Sequence, residues 1–349
     1  MGQFYQKILT KTVSPLIHFA GIHHITRPVY SGRGHILMMH RVIPESGRTR
    51  VHNHRSLEIS PAHLEDIVLY FRKRNYEFIS LDRISEWLND SRKERKRFVT
   101  FTFDDGYRDN LEFAWPVLRK YGVPFTIYIT NSFPEKKALI WWYILEDLIL
   151  KVSGINYSFE TGRVKRSCSG IHARETVFNT VRNHILRMNQ DNLSSELERF
   201  FDYYGFDAYS LSNELTLSWD NIAELAADPL VSIGSHTLNH YNLINLPDEI
   251  AWSEIAESQR IIESRINKKV LHFCYPLGKY GKRELELVKR SGFMTATTIK
   301  TANIFSDHTE HLLSLPRIHV NALTTEKVLD LQLNGFFPAI LNRFKPVVS

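Results

Sequence analysis

An α/β fold, with parallel strands alternating with helices and one long, mostly helical insertion, is what this sequence predicts. Three observations carry it. Residues 97–130 read strand, helix, strand: the β-branched and aromatic run Arg97–Phe103, the stretch Asn110–Tyr121 stopped by Gly122, then Pro124–Thr130. That spacing is a βαβ unit, which joins parallel strands. Alternation resumes after residue 218 and runs almost to the end. Between them, 131–217 loses the rhythm over a span too long for a bare loop. The 349 residues have room for two average domains or for one large α/β barrel with insertions.

The elements follow in order. Residues 1–34 are a basic, His-containing lead-in closed by the loop signal Ser31-Gly32-Arg33-Gly34. His35–His40 is a short apolar strand ending on a histidine, for which capping a buried strand is the plain alternative to a chemical role. Val51-His52-Asn53-His54 places two histidines in a polar loop; with no third ligand in view, solvated histidines are favoured over metal binding. Residues 61–74 have helical spacing behind Pro61, Tyr76–Ser80 is a brief strand, Ile84–Leu88 a second helix, and Asp90–Lys96 a charged link. Within the insertion, helices are expected near 174–187 and 193–204. Trp141 and Trp142 suit anchoring it more than stacking on a sugar. Trp219–Ala227 is a helix with Ser218 as its cap, and Leu230–Gly234 a strand running into Ser235–His240. A long helix covers 248–266 with acids in its first turn. Then come strand Val270–Tyr275, the stop Pro276-Leu277-Gly278, helix 281–291, strand Met294–Thr298, strand Leu315–Val320, and a terminal helix over 324–334. The expected organisation is a lead-in over 1–34, a core over 35–323 with its insertion at 131–217, and a C-terminal helix and tail over 324–349.

Composition narrows the class. Hydrophobic content of 43% and charged content of 23% are ordinary for a soluble globular protein. A net charge of +6 and a pI near 9.1 permit an anionic partner (lipid surface, nucleic acid or charged glycan) without selecting one. No arginine-rich tract, zinc-finger spacing or RNA-binding aromatic motif supports nucleic acid. Cys168 and Cys274 stand far apart, which fits a reducing compartment and no disulfide framework. No apolar run reaches the length of a membrane span. Met1–Ile25 lacks the apolar centre and cleavage site of a secretory signal, and Gln6 breaks the myristoylation pattern begun by Gly2. The expectation is a cytoplasmic protein. An amphipathic N-terminal segment resting on the inner face of the membrane is the alternative to a helix packed on the protein's own core.

The chemistry centres on Thr102-Phe103-Asp104-Asp105-Gly106-Tyr107, where a strand ends in two carboxylates. Burying both is costly unless a cation pairs with them. On a regular strand they would point to opposite faces, but Gly106 lets the chain turn so that both can converge. Taken alone, Asp-Asp-Gly also suits a surface turn. Far downstream, His236 and His240 are four apart, so a helical turn or compact loop puts them on one side. Thr237 excludes the HExxH pattern. In β/α barrels the strand ends share one rim, and there two imidazoles and a carboxylate suit Zn²⁺ or a similar divalent ion with a place left for water.

These motifs, with Tyr275-Pro276-Leu277-Gly278, resemble the successive motifs of the NodB-homology polysaccharide deacetylases, carbohydrate esterase family four. The likeness covers roughly residues 97–300 apart from the insertion. It implies a distorted (β/α) barrel that removes acetyl groups from N-acetylated sugars with a divalent metal. It implies Asp105, His236 and His240 as metal ligands, Asp104 as general base, and the Leu277 N–H as an oxyanion donor, with Tyr107, Tyr275, Pro276 and Gly278 around the substrate. For the acid that protonates the leaving amine, His40 is favoured over His319. The strand Ile36–His40 resembles the circularly permuted branch that includes poly-N-acetylglucosamine deacetylases. The family's third-motif Arg is missing, its following aromatic is Leu277, and no Asp-rich fourth motif is evident. Arg317 is the candidate replacement for that Arg and, with His319, a further substrate-side residue. The expected function is metal-dependent N-deacetylation of an N-acetylhexosamine-containing polysaccharide, oligosaccharide or lipid-linked glycan. The alternatives are a deformylase or O-acetyl esterase on the same fold, or an inactive sugar-binding module; no protein partner is implied.

Overall fold

Strands β1 (Gly34–Met39) and β5 (Phe98–Phe103) lie side by side in parallel, every residue of both buried. Strands covered on both faces need unbroken apolar runs, and these two have them. The computed structural model describes residues 14–21, 23–46, 49–51, 56–90 and 96–345. His52, His54 and most of the charged link before β5 lie outside the described residues.

The other strands are β2 (Arg41–Val42), β3 (Glu58–Ile59), β4 (Glu77–Phe78), β6 (Phe125–Ile129), β7 (Gly154–Phe159), β8 (Gly162–Ser167), β9 (Val231–Ser235), β10 (His272–Cys274), β11 (Thr295–Thr297) and β12 (Ile318–His319). The main sheet runs β11-β10-β9-β6-β5-β1-β12, with β4 on the amino half of β5. All its ladders are parallel. Its two ends meet through one bridge from Thr297 to Leu315, a few residues before β12 joins β1. The fold is a parallel sheet curled into a distorted barrel, closed by the strip Leu315–His319.

Helices pack outside this sheet for local reasons. Pro61–Lys73 starts under a Ser60 cap and buries Leu64, Ile67, Val68 and Phe71. Trp219–Ala227 begins with a capping box between Ser218 and Asn221. The stretch Asn110–Tyr121 departs from plain helix: Asn110–Ala114 is a π-helical turn, and only Trp115–Lys120 is α. Such bulges collect beside functional sites. Here the wide turn carries Asn110 to the His40 carbonyl at 2.9 Å.

Between β6 and β9 the chain builds a separate apolar cluster. Helices Ile171–Ile185 and Gln190–Tyr203 stand where the periodicity puts them. Two elements depart from the expectation. Helix Trp141–Lys151 is too apolar to show an amphipathic stripe, and the patch 153–170 is an antiparallel hairpin of β7 and β8. That hairpin rests on Ile155, Phe159 and Val164; β7 alternates apolar Ile155, Tyr157 and Phe159 with polar residues, whereas β8 has Val164 alone among charged and polar neighbours. At the other end, helix Phe336–Leu341 follows Glu326–Leu333. Among the described residues no helix is long and apolar enough to cross a membrane.

Candidate active site

Parallel register delivers the site residues to one rim. Met39 stands opposite Phe103, so the next residues, His40 and Asp104, leave the sheet side by side. Phe273 pairs with Ser235 in the same way, which sets Cys274 beside His236. His319, paired with Met38, sits one step lower.

The turn after β5 starts earlier than Gly106. Asp105 itself is left-handed at φ 78°, and Gly106 follows at 88°. That twist swings Asp105 away from Asp104. Thr237, His240 and Leu277 on the same rim also have positive φ (68°, 59° and 57°). Non-glycine residues held there cost roughly 1–3 kcal/mol each and gather where function requires them.

Asp105 faces imidazoles. Its Oδ1 lies 3.5 Å from His236 Nε2 and 3.5 Å from His240 Nε2. Donors held at about 2.0–2.1 Å around a tetrahedral ion stand about 3.3–3.4 Å apart, so the triad is spaced as a ligand set. The tautomer agrees. His236 Nδ1–H donates to the Cys274 carbonyl at 2.7 Å, which leaves Nε2 as the free lone pair. His240 is placed by a compact loop rather than a helix: its N–H donates to Thr237 Oγ1 at 3.0 Å, and Glu254 accepts from the Asn239 N–H at 2.9 Å and from its side-chain amide at 2.6 Å. Burial would raise the Asp105 carboxyl, but the surrounding histidines overcome it and hold it below the usual range. Burial lowers His240 to about 4 despite Asp105, keeping it neutral as a ligand must be. The residues fit a divalent metal.

Asp104 has a different environment. Arg317 Nη1 and Nη2 donate to its two oxygens at 2.6 and 2.7 Å. The guanidinium also donates to Thr102 Oγ1 at 3.1 Å and to the Thr298 carbonyl at 2.9 Å. Burial pushes the Asp104 carboxyl up, and the paired Arg317 brings it back below normal. With both oxygens committed, Asp104 is a poor metal ligand. The alternative trio Asp104, His236 and Cys274 is therefore less suited than Asp105, His236 and His240. Arg317, expected on the substrate side, is buried instead beneath Asp104, because the closing strip feeds its side chain into the barrel.

His40 Nε2 lies 4.0 Å from Asp104 Oδ2, and its ring is 6.0 Å from that of His319. His40 lines the cavity above the triad; His319 does not. Burial, with His40 and Arg317 close by, pushes His319 down to about 3. Tyr275 and Leu277 line the cavity, whereas Tyr107, Pro276 and Gly278 do not. Tyr107 is fully buried and accepts from Trp142 Nε1 at 3.0 Å, so it supports the wall rather than forming it.

The cavity measures about 230 Å³ and is roofed by the insertion. Trp142 is both anchor and wall: it holds Tyr107 while its ring stands 5.9 Å from that of His240. Phe178, Arg182 and Ile185 enter from one face of a single helix. Sequence reasoning missed these three. The signal was an arginine inside the apolar stripe Phe178, Val181, Ile185.

With this geometry in place, comparisons bear on it directly. The family model described as polysaccharide deacetylase matches residues 91–296. The chain belongs to the polysaccharide deacetylase family. YxkH of Bacillus subtilis (strain 168), a protein named after the same family, is 20% identical over 266 residues, covering 76% of this chain and 67% of that one. Among solved structures, the deacetylase PplD of Streptococcus pyogenes, in complex with acetate, aligns with a TM-score of 0.56 at 16% identity over 86% of this chain and 97% of that one. IcaB from Ammonifex degensii aligns with a TM-score of 0.53 at 18% identity over 87% and 98%. At these identities the structures speak for the fold: the distorted barrel of the polysaccharide deacetylases.

Proposed function

We propose that this polysaccharide deacetylase is a metal-dependent hydrolase that removes the N-acetyl group from an N-acetylhexosamine in a glycan. The observation that carries the reading is the division of labour between adjacent carboxylates. Asp105 faces two imidazoles at 3.5 Å, while Asp104 is held by an arginine fork.

Asp105, His236 and His240 would hold the ion, with Zn²⁺ the first candidate for this donor set. When bound, it supplies an activated water and polarises the acyl carbonyl. Asp104 accepts the water's proton as the oxygen–carbon bond forms. Arg317 keeps that carboxylate ionised and fixed in plane. The Leu277 N–H, turned by its left-handed backbone, is the donor for the developing oxyanion. His40 donates a proton to the amine nitrogen as the carbon–nitrogen bond breaks, because an amide anion is too basic to leave unaided. Its position at the cavity wall favours it over His319. Trp141 and Trp142 give the sugar an aromatic wall.

The test is acetate release from N-acetylated hexosamine oligomers by protein of known metal content, beside O-acetylated and N-formylated sugars. Acetate from the N-acetylated series alone, lost on chelation, supports the reading. Preference for either other acyl group moves the protein to the esterase or deformylase class. Metal-loaded protein that binds glycan without releasing acid is a binding module.

A further inference from the structure

The net positive charge of the chain sits at its ends, where acids are missing. Residues 1–40 contain four Lys or Arg and no Asp or Glu; residues 331–349 contain two and none. The whole chain carries a net +6, so everything between is close to neutral. The same two segments hold seven of the thirteen exposed large hydrophobic side chains among the described residues, led by Phe19 (92% exposed), Ile25 (77%), Leu16 (65%) and Phe344 (63%).

Among the described residues, helices Ser14–Phe19 and His23–Tyr30 pack with Glu326–Leu333 and Phe336–Leu341 as one structural unit. Thr26 Oγ1 donates to the Asn334 carbonyl at 3.0 Å, and Tyr30 OH to the Phe344 carbonyl at 2.8 Å. His18 meets Asp330 at 2.9 Å. The unit covers the amino end of β1, since Tyr30 lies four residues before Gly34. The candidate active site is at the opposite end of that strand. Leu16 and Phe19 share one helical face, and Ile25 and Val29 another. Arg27, Arg343 and Lys345 are exposed beside them and make no ion pair among the described residues.

We propose that this face docks the protein on an anionic lipid bilayer. Helices that merely cover a core turn their apolar side chains inward, and these leave Phe19 and Ile25 in water. The core of a protein interface is depleted in lysine and shaped to a partner. Here short helices present separate apolar side chains among cations, with no acid in either segment, and Asp330, just before the second, is taken up by His18. That is the pattern of an interfacial anchor, in which apolar side chains enter the headgroup boundary and basic ones meet lipid phosphates. Docked this way, the protein turns its catalytic rim toward the aqueous phase.

The test is co-sedimentation of the full chain with vesicles of phosphatidylcholine alone and of phosphatidylcholine with phosphatidylglycerol. Binding to the mixed vesicles, weakened by salt and at least about tenfold stronger than to neutral ones, is the expected result. A Phe19→Ser, Ile25→Ser double variant and an Arg27→Glu, Arg343→Glu, Lys345→Glu triple variant each lose about tenfold or more, with metal content and hydrolysis of a soluble substrate unchanged. Equal partition to both vesicle types, no partition, or binding untouched by both variants overturns the proposal. So does a lipid-free dimer that the same substitutions dissolve, which would make this face a contact between copies of the chain.

Discussion

Arg317 grips Asp104 with two parallel hydrogen bonds of 2.6 and 2.7 Å inside the barrel, although the two residues are 213 positions apart. The strip that closes the sheet makes this pairing, since Leu315 joins β11 and Ile318 joins β1. Asp104→Asn keeps the shape and removes the charge, so turnover should fall about 10³-fold with bound metal unchanged. Near-normal rates in that variant would remove Asp104 from the role of base. Arg317→Lys keeps a cation but loses the fork. Because the arginine holds the Asp104 carboxyl down, its loss raises that pKa. The acid limb of the pH–rate profile then moves to higher pH. Arg317→Ala leaves a buried carboxylate unpaired and should cost about 3–5 kcal/mol of stability in denaturant unfolding.

Removing His236 acts differently. It is fully buried, tied to the Cys274 carbonyl, and aimed at Asp105. His236→Ala should lose bound metal and turnover together, measured by metal analysis and acetate release on one preparation. Chelation of the native protein should reproduce the loss, and added Zn²⁺ should restore it in the native protein only. A His236→Ala protein that retains stoichiometric metal would place the ion elsewhere.

For the proton donor, His40 and His319 can be separated because only His40 reaches the cavity. His40→Ala should lower turnover about 10²–10³-fold with metal retained. The deficit should shrink on substrates whose leaving group needs no proton. His319→Ala should cost far less. Equal activity in the native and His40→Ala enzymes would hand the role to His319 or to solvent.

Much of this site was visible in the sequence because its signals are local. A β-branched strand ending in Asp104-Asp105-Gly106 and a His-xxx-His pair after another strand are each ambiguous alone, and together they point to one rim. Parallel order then brings them together. Arg317 could be suspected but not placed, because its partner is set by how the barrel closes, and no short stretch encodes that. The cavity roof was harder still. Helix Trp141–Lys151 is apolar on most sides, packed between the barrel and the insertion's own core, so periodicity fails there. Arg182 shows as a break in an apolar stripe, a cue that needs the facing surface to interpret. The strained residues at the rim, Asp105 and Leu277 among them, left no compositional trace, since turn signals point to glycine.

His35 is fully buried at the start of β1, with Nδ1 2.8 Å from Asn303 Oδ1 and Nε2 3.2 Å from Tyr76 OH. Asn303 donates its own amide to the Tyr30 carbonyl at 2.8 Å, so its oxygen accepts from His35 Nδ1–H. Tyr76 OH then donates to Nε2, and the neutral ring is fully satisfied. Burial pushes the pKa down to about 3, with Arg97 nearby adding to the effect and the Asn303 bond opposing it. An unfolded histidine titrates near 6.5. Between these values the unfolded chain takes up a proton that the native ring refuses, so stability is complete above about pH 6.5 and declines as the pH falls toward 3. The loss should reach about 2 kcal/mol by pH 5. His35→Gln offers no group that titrates there, so its stability should vary less between pH 7 and pH 5 than that of the native protein, whatever its absolute value. Denaturant titrations of both proteins at the two pH values measure this, and identical pH dependence would mean that another buried group controls acid sensitivity.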